Sequence, residues 1–158
     1  NLCKEKDDFK TNLRVRLVGN VHEDVKKSVE KYGLNNRVTL VPNMPHKEAI
    51  EQLYDSSISL LLLNNAKNID GIVPGKMFEY MGVGNPILAI GKLDGDAGNI
   101  IAENKLGAIT NFGDSQTAQK VVAEFYDSYL NNKLTRFSKE KLEKFSIKKI
   151  SESFEAIF

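Results

Sequence analysis

Residues 58–90 read ISLLLLNNAKNIDGIVPGKMFEYMGVGNPILAI, and this stretch decides the fold. It begins with a continuous apolar run, residues 58–63, which is typical of a parallel strand covered on both faces. The polar residues 64–74, punctuated by glycine and proline, predict a loop. Residues 75–81 predict a short helix, and residues 86–90 predict a second apolar strand. Strand, loop, helix and strand in this order form a βαβ unit, so the stretch predicts an α/β fold with a mostly parallel sheet.

The same alternation of strands and helices extends to both sides of this stretch. Asp114 predicts the N-cap of a long helix. Residues 1–12 resemble the polar end of a helix without a preceding strand, and the chain begins with Asn1 instead of methionine, so we expect a domain truncated at its N-terminus. The remaining predicted strands are 13–19, 37–41 and 107–110, the remaining helices are 22–32, 46–54 and 97–104, and the inner stripe of the long helix is Ala118, Val121, Val122, Phe125 and Tyr129.

Composition places the chain among single globular domains. It has 158 residues, 41% of them hydrophobic and 27% charged, which predicts one domain over residues 1–158. Its 22 basic and 21 acidic side chains leave a formal charge of +1, which argues against nucleic acid as a partner. One cysteine, Cys3, rules out an internal disulfide. His22 and His46 are far apart in sequence and have no paired ligands, so we expect no metal site.

The loop and helix after residue 63 carry the candidate binding site. Ligands of open parallel sheets bind at the carboxyl ends of the strands, where this loop runs. The free N–H groups of the helix after Pro74 suit a phosphate, and Lys76 adds a positive charge. Glu79 lies about 5 Å further along the same side of the helix and can accept two hydrogen bonds from a ribose diol. A nucleotide site is one interpretation; an ordinary surface helix with a Lys–Glu pair is the other. Phe78 and Met81 are predicted to be core.

The segment also resembles a known signature. Its two parts are Pro74-Gly75-Lys76-Met77-Phe78-Glu79-Tyr80 and the strand Pro86-Ile87-Leu88-Ala89. Together they are similar to the nucleotide-sugar signature of the retaining glycosyltransferases with the GT-B fold (glycosyl transferases group 1). Further elements in the same order extend the resemblance over residues 13–112. The resemblance implies that the chain is the C-terminal half of a GT-B fold, a Rossmann-like three-layer α/β/α domain that binds the donor.

The resemblance also implies roles for individual residues. Glu79 would bind the ribose hydroxyls of the donor. Lys76 and the amides around Gly75 and Met77 would hold the diphosphate, and Lys76 would stabilise it as the leaving group. Two further sets follow the first two strands: Pro42, Asn43 and Met44 would flank the base, and Gly19 and Asn20 would let the phosphates or the sugar approach.

The sequence departs from the family pattern at one position. Many members have two glutamates separated by seven residues, and the first contacts the transferred sugar. Counting back from Glu79 places Gly71 at that position. The neighbouring Asp70 is therefore only a candidate for this contact.

The resemblance implies a glycosyltransferase of polysaccharide biosynthesis. It would use a UDP- or GDP-sugar, act on a glycan or lipid-linked acceptor, need no metal, and work in the cytoplasm, including the inner face of the membrane. An N-terminal domain of the same enzyme would supply the acceptor site, so the fragment alone would be inactive. The alternatives are a nucleotide-sugar epimerase of GT-B-like architecture and a non-enzymatic α/β module that binds a nucleotide or a protein.

The last residues, 133–158, predict C-terminal helices with two interpretations. They contain seven basic and four acidic side chains together with four phenylalanines. A solvated face is one interpretation, and peripheral contact with an anionic membrane is the other.

Overall fold

The computed structural model describes residues 2–137 and residue 145. Strands and helices alternate within these residues as the sequence predicts, and a 3₁₀ turn, Ile69–Gly71, interrupts the predicted loop. The predicted helical pair from Ser138 onward lies outside the described residues. The strands are β1 (Val15–Val18), β2 (Val38–Val41), β3 (Ser59–Leu62), β4 (Ile87–Ile90) and β5 (Gly107–Thr110). The helices are α1 (Leu2–Glu5), α2 (Asp7–Asn12), α3 (Glu23–Lys31), α4 (His46–Tyr54), α5 (Gly75–Val83), α6 (Asp96–Glu103) and α7 (Ser115–Leu130).

All strand pairs in the described residues are parallel. β1 pairs with β2, and a second sheet has the order β3-β4-β5. Helices connect consecutive strands, as parallel pairing requires. The predicted α/β class is confirmed, and the fold is Rossmann-like.

The chain divides into two compact units, Asn1–Gln52 and Leu53–Phe158. The first contains the β1–β2 sheet, and Leu2 and Phe9 are buried there at 9% and 6% exposure. The second contains the three-stranded sheet and the larger apolar core. The single domain over residues 1–158 stays a prediction.

The core of the second unit lies on one face of its sheet. Leu61 and Ala89 are register partners on β3 and β4, so their side chains point to the same face. Met77 of α5 and Ile101 of α6 are fully buried in the same cluster, so both helices cover this face. The buried members of the cluster are Leu61, Leu63, Ile69, Met77, Met81, Ile87, Ala89, Ala97, Ile101 and Leu106.

The other face of β3 corrects one prediction. Coverage on both faces is wrong for this strand, because Leu60 and Leu62 are 36% and 60% exposed. The side chains of a strand alternate, so Leu61 points to the face that α5 and α6 cover, and Leu60 and Leu62 point to the opposite one. β3 is also the outermost strand of its sheet. The apolar run therefore indicated a strand correctly, but not its burial.

The long helix α7 confirms its cap and corrects its inner stripe. Asp114 is the N-cap, and its side chain accepts a hydrogen bond of 2.9 Å from the Thr117 amide. Tyr129, predicted on the inner stripe, is 51% exposed, whereas Tyr126 is 7% exposed. The two rings stack with their centroids 6.5 Å apart. Tyr129 lies in the last turn of the helix and packs on the outer side of Tyr126.

Each helix in the described residues is too short or too polar to cross a bilayer.

Candidate functional site

The N-terminus of α5 faces the loop from β3 without a side-chain cap. Pro74 occupies the N-cap position in an extended conformation, with φ −71° and ψ 141°, and it makes no side-chain hydrogen bond to the helix. The Met77 amide donates to the Pro74 carbonyl over 2.9 Å. The amides of Gly75 and Lys76 precede it, where an α-helix has no carbonyl to accept from them. The first turn also has no acidic residue, so this end of the helix is suited to an anion.

Lys76 and Glu79 lie one turn apart on α5 and differ in exposure. The Lys76 side chain is exposed, and Glu79 is half-buried. Among the described residues, no ion pair involves either of them. The predicted proximity of a cation and a carboxylate on one side of this helix therefore holds at the level of the backbone.

The opposite side of α5 anchors the helix in the core. Met77 is fully buried and Met81 is 2% exposed, so the prediction that Met81 is core is confirmed. The same prediction for Phe78 is wrong, because this ring is 43% exposed. Since Met77 is buried, only its backbone amide could reach a ligand, and that amide is already bonded to Pro74.

Tyr80 connects α5 to the neighbouring strand. Its hydroxyl donates to the Leu60 carbonyl over 3.2 Å. Burial raises the pKa of Tyr80, and the negative charge of Glu79 raises it further. The phenol therefore stays protonated as a donor, and this hydrogen bond helps to fix the rotation of α5 that presents Lys76 to solvent.

In the first unit, the structure brings together three of the predicted residues. Val18 and Val41 are register partners, so β1 and β2 end at the same edge of their sheet. Gly19 follows β1 with φ +111°, and a Cβ there would lie 3.2 Å from the Asn43 Oδ1 atom. Asn43 donates from its amide to the Asn20 Oδ1 atom over 3.2 Å.

The remaining predicted residues of this unit flank Asn43. Pro42 is exposed and Met44 is half-buried, and both lie in the segment between β2 and α4. The residues of the first unit thus line the carboxyl ends of β1 and β2, as the sequence predicts.

Asp70, the candidate next to Gly71, has a partner that the sequence analysis missed. It lies in the 3₁₀ turn, and its Oδ1 atom is 2.5 Å from the Lys92 Nζ atom. Lys92 also lies 3.8 Å from the Asp94 Oδ1 atom. Lys92 donates a hydrogen bond to Asp70, and this bond is the main cause that raises the pKa of Lys92. The sequence did contain one signal for this contact, a lysine two residues after an apolar strand. The carboxyl ends of neighbouring parallel strands meet at one edge, so the loops that follow them can exchange such contacts.

The two histidines are placed at the surface of the first unit. His22 is the N-cap of α3, and its Nδ1 atom accepts from the Asp24 amide over 3.3 Å. His46 is exposed at the first position of α4. Within the part of the chain that the structure describes, no group of three or more His, Cys, Asp or Glu side chains could hold a metal ion.

A search of curated proteins found no match. The model of the family described as "Glycosyl transferases group 1" matches residues 2–144.

Proposed function

The chain belongs to the group 1 glycosyl transferases, since the family match covers nearly all of it, and we propose that it is the donor-binding domain of a retaining GT-B enzyme. Membership of this family implies glycosyl transfer from a nucleotide-sugar donor. The observation that supports the donor-binding role is the uncapped N-terminus of α5, with an exposed Lys76 and with Glu79 one turn later.

The diphosphate of the donor is proposed to bind at the start of α5. The amides of Gly75 and Lys76 would donate to its oxygens, and the Lys76 ammonium would add a full positive charge. When the bond to the sugar breaks, negative charge grows on the departing diphosphate. Groups already oriented toward that charge stabilise the transition state more than the ground state. Lys76 therefore has the role of stabilising the leaving group.

The ribose of the donor is proposed to bind at Glu79. A carboxylate accepts two hydrogen bonds, which matches the two neighbouring hydroxyls of a ribose. Half-burial of Glu79 restricts water at the carboxylate and strengthens such bonds.

Donor-binding roles are also proposed for residues of the first unit. Gly19 and Asn20 would let the phosphates or the sugar approach the carboxyl end of β1. Pro42, Asn43 and Met44 would flank the base after β2. The hydrogen bond between Asn43 and Asn20 supports this assignment, because it holds the two turns together before any ligand arrives.

The acceptor side of the reaction is also part of the proposal. The acceptor is a hydroxyl of a glycan or of a lipid-linked glycan, and it would be bound by an N-terminal domain of the same enzyme. The chain alone would then bind the donor without transferring its sugar. The donor would be a UDP- or GDP-sugar, and transfer would need no metal. The enzyme would work in the cytoplasm or at the inner face of the membrane.

A calorimetric panel tests the donor-binding role. UDP, GDP, ADP and their sugars are titrated into the 158-residue chain and into Lys76→Met and Glu79→Gln variants. We expect one nucleoside diphosphate to bind best, and each substitution to weaken it about tenfold, because each removes a charged hydrogen-bonding group.

Matched controls are available on α7. Lys120 and Glu124 are an exposed Lys–Glu pair on another helix of the same unit, and Lys120→Met and Glu124→Gln should leave binding unchanged. Absence of binding by every nucleotide, or equal effects of the α5 and α7 substitutions, would contradict the proposal.

A further inference from the structure

An ion pair joins two loops at the carboxyl edge of the three-stranded sheet. Leu62 and Ile90, the last residues of β3 and β4, are register partners, so the loops that follow them leave the sheet side by side. Lys92 on the second loop forms an ion pair with Asp70 on the first loop. The pair therefore connects the loop that leads into α5 with the loop that leads into α6.

The loop that carries Asp70 is long, and Ile69 and Val73 contact the core cluster from within it. It runs from Leu63 to Pro74, and most of its side chains are exposed. Ile69 is 9% exposed and belongs to the core cluster, which fixes the middle of the loop. Asp70 is the next residue, and α5 begins five residues later at Gly75. A contact at Asp70 therefore acts close to the start of α5.

The loop that carries Lys92 is short and well fixed. The Gly91 amide donates to the Thr110 carbonyl over 2.9 Å, and the Leu93 amide donates to the Asn111 Oδ1 atom over 3.3 Å. A Cβ on Gly91 would lie 2.3 Å from the Leu63 side chain, so only glycine allows this approach. Lys92 thus extends from a backbone that is bound to β5 on one side and packed against the end of β3 on the other.

We propose that Asp70 and Lys92 are positioning residues for the donor. Their ion pair connects the loop before α5 to the short, well-fixed loop that carries Lys92. The inference rests on the proposed function, since it concerns how the Gly75 and Lys76 amides are held for the diphosphate. Neither side chain contacts the donor in this proposal. Asp94 is 3.8 Å from Lys92 but lies on the same short loop, so its contact with Lys92 does not join the two loops.

The expected effect is modest because the pair is partly exposed. The side chains of Lys92 and Asp70 are 39% and 66% exposed, and exposed ion pairs contribute little. We therefore expect loss of the pair to weaken nucleotide binding about two- to fivefold.

A double-mutant cycle on the 158-residue chain tests the inference. The affinity for the best-binding nucleoside diphosphate is measured by calorimetry for Asp70→Asn, Lys92→Met and the double variant. Asp94→Asn is the matched control, because it removes a carboxylate from Lys92 without separating the loops. Lys92→Arg is the rescue variant, because it keeps the positive charge. The thermal midpoint of each variant shows whether the chain is folded.

Three results are informative. The inference is supported if both single variants weaken binding equally and the double variant loses no further affinity. Asp94→Asn and Lys92→Arg should in that case bind the nucleotide as tightly as the unsubstituted chain. Unchanged affinity in the single variants, or losses that simply add, overturn it while the donor site stands. If the unsubstituted chain binds no nucleotide, the proposed function fails and the inference fails with it.

Discussion

The different surroundings of Lys76 and Glu79 suit these two side chains to different parts of a nucleotide. An exposed ammonium at a helix N-terminus suits a diphosphate that carries several oxygens and needs no single orientation. A half-buried carboxylate suits a diol, whose two hydroxyls must be met at a fixed geometry. The neighbouring Tyr80 keeps its proton, since burial and the Glu79 charge raise its pKa, so it does not compete with Glu79 as an anion.

The proposed role of Glu79 predicts that nucleotide binding depends on the ribose hydroxyls. Glu79→Gln should weaken binding of the preferred nucleoside diphosphate about tenfold, because a charged acceptor is replaced by a neutral one. The 2′,3′-dideoxy form of that nucleotide should bind the variant and the unsubstituted chain equally well. Calorimetry with the two nucleotides measures this. A similar loss for both would show that Glu79 does not contact the diol.

At the scale of elements, α5 has a side that is anchored in the core and a side that is proposed to bind the donor. Met77 and Met81 hold it in the core, while Phe78 is exposed next to them in sequence. A helix fixed in this way presents its first turn without movement of the rest of the helix. Pre-organised donors of this kind are the ones that stabilise developing charge.

The two sides of α5 predict different costs of substitution. Met77→Ala should lower the free energy of unfolding by about 2–5 kcal/mol, because it leaves a cavity in the core. Phe78→Ala should lower it by about 1 kcal/mol or less, since much of the ring is already in water. Urea unfolding followed by circular dichroism measures both. Comparable costs for the two variants would contradict the observed orientation of the helix.

The cap of α7 predicts a pH dependence of stability. The hydrogen bond from the Thr117 amide lowers the pKa of Asp114 below its ordinary value of 3.8. The ionised cap therefore stabilises the fold fully above about pH 4 and loses this effect as the pH falls through the lowered pKa. The thermal midpoints of the unsubstituted chain and of Asp114→Ala should differ more at pH 7 than in acid, where the protonated carboxyl caps the helix only as a neutral acceptor.

A neutral cap provides the control for this pH effect. Asp114→Asn keeps a good N-cap acceptor but does not titrate. Its thermal midpoint should stay above that of Asp114→Ala at both pH values. A difference between the unsubstituted chain and Asp114→Ala that is as large at low pH as at pH 7 would mean that the charge of the cap is unimportant.

At the scale of the whole molecule, the low net charge disfavours binding of a polyanion but not binding of a nucleoside diphosphate. A formal charge of +1 offers no extended basic surface for a polyanion. A nucleoside diphosphate needs only a helix end and one lysine. We therefore expect no binding of labelled duplex DNA or RNA at physiological salt, measured by fluorescence anisotropy. Salt-dependent binding at micromolar concentrations would reveal a basic patch that the overall charge conceals.

The sequence by itself determined the class of fold and the family. Periodicity indicated the strands and helices in their order, because alternating apolar patterns and glycine or proline breaks are local properties. The motif from Pro74 to Tyr80 indicated the group 1 glycosyl transferases, and the family match confirms this family. Asp114 indicated the cap of α7 for the same local reason.

Only the tertiary structure decided which apolar side chains are buried and which charges meet. The exposure of Phe78 and Leu62 depends on what packs against each face, and that is a property of distant segments. The contact between Asp70 and Lys92 likewise joins residues on loops that follow two different strands. Parallel pairing brings such loops to one edge, so the partner of a charged side chain is fixed by the sheet register and not by its neighbours in sequence.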